Sequence, residues 1–114
     1  MPPESFYCQY GENTMTQSLD LESLIRIAPK LAELSQEVLF NDIWKRDALS
    51  PRDRSLVTLG ALTALGRAQQ LPWHIDFAQR NGLTQTEITE AFTHLAFYAG
   101  WPAAVSALAC LDEE

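Results

Sequence analysis

Residues 81–104 read NGLTQTEITEAFTHLAFYAGWPAA, and this stretch decides the fold class. Asn81-Gly82 is a helix stop, the glycine supplying a left-handed turn that other side chains resist. Thr84-Gln85-Thr86-Glu87 then has the form of a capping box, in which a hydroxyl and a carboxylate satisfy backbone N–H groups at a helix start. Ile88, Ala91, Phe92, Leu95 and Ala99 follow at helical spacing and make one apolar stripe, closed by Gly100. Pro102 opens a last helix through Ala103, Ala104, Ala107, Leu108 and Leu111.

The same punctuation governs the chain upstream. Pro72 opens a helix that runs to Asn81. Ser50-Pro51 pairs a capping hydroxyl with a proline whose missing N–H costs nothing in the first turn, and predicts a helix from Pro51 to about Gly66. Pro29 starts another, to about Trp44, with apolar positions Leu31, Leu34, Val38 and, after a shift of register, Leu39 and Ile43. Leu21 to Ala28 reads as a short helix or turn. No segment alternates as a strand does. The pattern predicts an all-α, single-domain bundle of about five to six helices over residues 15–114, preceded by a flexible leader at 1–14.

Composition limits what such a bundle does. Eight Lys and Arg against fifteen Asp and Glu in 114 residues leave a net charge of −7. That balance argues against nucleic acid or an anionic membrane as partner, since both demand a positive patch. The longest apolar run, Leu56 to Gly66, is about half the length needed to span a bilayer. Cys8 and Cys110 form neither a CxxC nor a zinc-ligand spacing, which reads as reduced thiols in a cytoplasmic protein without a metal site.

The helix from Pro51 carries Leu56, Val57, Leu59, Ala61, Leu62, Ala64 and Leu65, apolar nearly all round. It needs cover on most sides, and a domain this small supplies little. Burial between subunits meets that need, so the chain is expected to be an obligate homo-oligomer.

Three groups of residues have chemical potential. Arg46 and Arg54 flank the Ser50-Pro51 start, where guanidinium and helix N-terminus favour an anion; pairing with Asp42, Asp47 or Asp53 is the alternative. Lys45 and Arg52 read as structural charges that pair with a nearby acid, Arg52 also being placed to face solvent. His74 follows Trp73 in the first turn of its helix, where the dipole favours the neutral imidazole suited to acid–base work, or else it is a hydrogen-bonded histidine with no role. Glu90, His94 and Tyr98 share one helix face, either as a relay or as a polar stripe.

Taken in order, these segments resemble the carboxymuconolactone decarboxylase family. The resemblance rests on Asp42-Ile43-Trp44-x-Arg46, Leu49-Ser50-x-x-x-Arg54-Ser55-Leu56, Leu71-x-x-His74, Asn81-Gly82-x-Thr84-x-x-Glu87-Ile88-x-Glu90 and Tyr98-Ala99-Gly100-x-Pro102-Ala103-Ala104. It implies an alkyl hydroperoxidase D-like helical subunit assembled as dimers, commonly trimers of dimers. In the thiol branch of that superfamily a CxxC precedes the histidine. Here those positions carry Arg67 and Gln70, so peroxidase activity is not expected.

The other branch implies a cofactor-free lyase that releases CO2 from 4-carboxymuconolactone, an anionic small molecule of aromatic catabolism. On that resemblance His74, Arg54 and Tyr98 would be catalytic. Arg46, Trp44, Trp73 and His94 would bind substrate: Arg46 with Arg54 on carboxylates, the tryptophans as walls, and Tyr98 or His94 as oxyanion donor. The family commonly has an acid where this chain has Gln69-Gln70, which keeps open a second reading, a catalytically silent oligomeric scaffold.

Overall fold

The computed structural model describes residues 21–112, and among them there is no strand. The expected leader at 1–14 lies outside the described residues, as does Cys8. The chain falls into two compact units that part between Ser50 and Pro51.

In the first unit, α1 (Leu21–Ile27) ends just before Pro29, which occupies the first turn of α2 (Pro29–Leu34). The helix widens beyond Leu34: over Ser35–Phe40 it takes the looser π form, and the Asn41 N–H donates to the Gln36 carbonyl, five residues back, at 3.0 Å. A turn of this kind holds one extra residue and rotates everything after it about the axis. That is the physical counterpart of the register shift between Val38 and Leu39. The helix does not run on to Trp44 as expected; it stops at Asn41-Asp42, and Ile43–Lys45 form a separate 3-10 turn. Phe40 is buried and stacks on Trp44 with ring centroids 6.3 Å apart.

The second unit holds α3 (Pro51–Ala64), α4 (Leu71–Arg80), α5 (Gln85–Ala99) and α6 (Trp101–Asp112). Helices α3 and α6 pack on one another, and each packs on both α4 and α5. Gly66 and Gly82, at φ of +74° and +110°, close α3 and α4. After each glycine the chain bonds back across the helix end, Arg67 N–H to the Leu62 carbonyl at 2.8 Å and Leu83 N–H to the Ala78 carbonyl at 3.0 Å. The capping box forms as read: Glu87 N–H donates to Thr84 Oγ1 at 3.0 Å, and Thr84 N–H to Glu87 Oε1 at 2.9 Å.

Leu59, Leu71, Ile75, Ala78, Ile88, Phe92 and Ala107 make the core of this unit. Helix α3 buries only Ser55, Leu59 and Thr63, one residue per turn on a single side. Its outer side leaves Val57 64% exposed, and Leu65, in the turn just past its end, is 66% exposed. The apolar circumference read from sequence is therefore half covered within one chain. Among the described residues no helix is long and apolar enough to cross a membrane.

Candidate functional site

Helices α3 and α4 form an antiparallel hairpin, fixed at its open end by Asn81 Nδ2 donating to the buried Ser55 Oγ at 2.8 Å. Arg54 lies beside Ser55 at that end and is half-buried, its carbonyl accepting from Thr58 Oγ1 at 2.8 Å. His74 lies in the first turn of α4, seven residues before Asn81 and so about 10 Å away along the axis. Within one chain, the hairpin holds Arg54 and His74 toward opposite ends.

His74 packs edge-on to Trp73, ring centroids 4.9 Å apart, and Trp73 stacks on Phe77 at 4.7 Å. Trp73 is only 1% exposed, so it backs the imidazole from the core. Burial removes water that would solvate an imidazolium and pushes the His74 pKa down from 6.5 to about 4. At neutral pH the ring is uncharged. It can accept a proton at one nitrogen and donate from the other.

His94 and Tyr98 are neighbours on α5, one turn apart, with ring centroids 5.0 Å apart and both side chains exposed. Glu90, one turn earlier, forms no hydrogen bond to His94, so it does not fix that ring's tautomer. Trp44, half-buried against Phe40, and Arg46, exposed and in extended backbone just after the 3-10 turn, belong to the first unit.

A groove of about 470 Å³ runs between α3 and α5, which lie side by side in the same direction. Leu56, Gly60, Leu83, Ala91 and Leu95 floor it; Arg52, Glu87, Glu90 and His94 stand at its rim. Arg52, read from sequence as paired with a nearby acid or turned to solvent, has a distant acid as well as a near one. Its side chain is half-buried, pairs with Glu87 and Asp53, and lies over Gly82. The Thr84 backbone N–H, together with Arg52, holds the Glu87 carboxyl below its usual pKa. The sequence marked Glu87 as a capping residue but held no sign of a cation 35 positions away.

With this geometry in hand, comparison with known proteins places the chain. The model of the carboxymuconolactone decarboxylase family matches residues 29–113. The chain belongs to that family. All seven residues given catalytic or binding roles on the resemblance lie inside the matched stretch. The 4-carboxymuconolactone decarboxylase of Acinetobacter baylyi is 33% identical over 103 residues, covering 90% of this chain and 75% of that protein. The nitrosuccinic acid decarboxylase of Metarhizium robertsii is 33% identical over 92 residues, 77% of this chain and 64% of that protein. An uncharacterised 15.0 kDa protein of Paracoccus denitrificans is 28% identical over 98 residues, 84% of this chain and 73% of that protein. This family member thus has two relatives that carry the name of decarboxylases.

Proposed function

We propose that this chain is a carboxy-lyase that removes CO2 from a dicarboxylate whose reacting carbon adjoins an electron-withdrawing group, 4-carboxymuconolactone being the first substrate to test. The observation that carries this is the shared relation to two named decarboxylases at 33% identity each. Their named substrates have a chemistry in common. Each has a second carboxylate besides the one lost, and each has a group, conjugated lactone or nitro, able to accept the electron pair left when the C–C bond breaks. Such a reaction consumes one proton at carbon and needs no external electron sink.

The residues take roles that this chemistry defines. Arg54 and Arg46 grip carboxylates, as a planar guanidinium does best. Tyr98 or His94 donates to the oxyanion that develops on the accepting group. His74 delivers the proton, with Trp73 as its apolar backing; Trp44 keeps only the wall role that the resemblance implies. A ring with a pKa near 4 holds almost no proton at pH 7. A substrate carboxylate arriving beside it raises that pKa, because an opposite charge stabilises the imidazolium. Substrate binding thus loads the acid that the reaction needs.

The exposed Val57, Leu65, Phe97, Tyr98 and Trp101 support association of subunits, since a monomer rarely leaves so many large apolar side chains wet. We take a homo-oligomer as the working form. The second reading, a silent scaffold of the same family, is favoured by the separation of Arg54 from His74 within one chain. Ultraviolet absorbance during incubation with 4-carboxymuconolactone separates the two. Turnover that His74→Ala abolishes, in an otherwise intact assembly, supports the lyase; wild-type protein that leaves the lactone unchanged supports the scaffold.

A further inference from the structure

The groove between α3 and α5 is unsuited to the dicarboxylate just proposed, and its chemistry suits a different ligand. Its volume, about 470 Å³, is that of a small-molecule site, and its floor is apolar. The polar groups stand at the rim, and their charges do not cancel. Arg52 is already matched by Glu87, with Asp53 on its other side. Glu90 faces the same opening and has no hydrogen-bond or ion-pair partner among the described residues. His94 contributes a ring held against Tyr98. Residues 81–114 contain no lysine or arginine at all, so helices α5 and α6 bring no cation to offset Glu90.

Gly60 lines the groove on the α3 side. A Cβ built there meets nothing within 4 Å, because the space above it is the groove itself. The backbone conformation is ordinary helix, so any residue fits at this position without strain. Glycine in a helix interior costs roughly 0.5–1 kcal/mol relative to alanine, and here the missing side chain is what keeps the hollow open.

We propose that this groove binds a compact organic monocation, an ammonium or amidinium carried on an apolar ring. The ring lies on Leu56, Gly60 and Leu95, and the cation meets Glu90 at the rim. The groove shares His94 with the lyase reading but not its ligand, and the lyase's oxyanion donor is then Tyr98: a dicarboxylate would meet uncompensated negative charge here.

Three probes with similar apolar bodies test it: 2-phenylethylammonium, 2-phenylethanol and 3-phenylpropionate, each titrated into the full chain and followed by backbone amide NMR. The expected result is saturable shifts at Gly60, Ala91 and Leu95, with the ammonium binding roughly two- to five-fold tighter than the alcohol and the carboxylate weakest, as for an exposed ion pair. Glu90→Gln should erase the preference while the alcohol binds unchanged. Gly60→Leu, which fills the hollow without touching the backbone, should remove binding of all three. Equal affinity for the three probes overturns the charge assignment. Shifts that survive Gly60→Leu overturn the location. Wild-type protein that binds no probe, together with a Gly60→Leu chain that sediments as a smaller species, overturns the ligand and makes the groove an interface between copies.

Discussion

Arg52, in the first turn of α3, pairs with Glu87, in the first turn of α5, and so joins two helix starts across 35 residues of chain. Glu87 has a second task at the same time, accepting from the Thr84 N–H to complete the capping box. One carboxylate therefore caps its own helix and ties that helix to another. Arg52 also lies against Gly82, so the turn between α4 and α5 is held by the same side chain.

The lock should be cooperative. Arg52→Ala and Glu87→Gln are each expected to lower the denaturation midpoint, and the double variant should lose less than the two added together. High salt should narrow the gap between wild type and Arg52→Ala, since both partners are partly exposed. Strict additivity in urea unfolding would show that the pair contributes nothing as a pair.

His74 should make stability depend on pH. In the unfolded chain the imidazole takes a proton near pH 6.5, whereas in the fold it does so only near 4. Between those values the unfolded state binds more protons, so stability is fully present above 6.5 and is lost as pH falls toward 4. The loss from this one group is on the order of 3 kcal/mol. His74→Gln should flatten the slope across that window. Urea unfolding of both proteins at several pH values checks it, and parallel slopes would contradict a buried neutral ring.

Arg54 should act on binding. If 4-carboxymuconolactone is turned over, Arg54→Ala is expected to raise KM by roughly ten-fold or more, the scale of one charged hydrogen bond. The salt dependence of KM should weaken with it. Steady-state kinetics at two ionic strengths measures both, and an unchanged KM would leave Arg54 as a partner for a neighbouring acid.

The apolar outer side of α3 and the aromatic residues around Gly100 should mediate assembly. Phe97, Tyr98 and Trp101 are 71–82% exposed, an unusual cost for a free monomer. Light scattering should give a mass several times 12.8 kDa for the wild type and a smaller one for Val57→Lys or Trp101→Lys. A wild-type monomer at micromolar concentration would refute the assembly argument.

Much of the fold was legible because helix ends are local chemistry. Pro29, Pro51, Asn81-Gly82, Thr84-x-x-Glu87 and Gly100 act within one turn of themselves, and each stands at the helix end where it was expected. The apolar stripe of α5 likewise became the core through Ile88 and Phe92. The extent of the helix after Pro29 was less legible, because periodicity shows a register shift without showing whether the helix widens or breaks; here it does both. For the site, sequence picked out residue types suited to an anion and a proton, but types have no direction.

By itself, the sequence determined the all-α class, the helix boundaries in the second unit and membership of the carboxymuconolactone decarboxylase family, since capping and periodicity act over a few residues. Only the tertiary structure decided that Arg52 meets Glu87, that Trp73 supports His74 from within the core, that Arg54 and His74 lie toward opposite ends of one hairpin, and that a hollow opens above Gly60. Those relations depend on how helices far apart in the chain lie against one another, and packing of buried side chains settles that geometry.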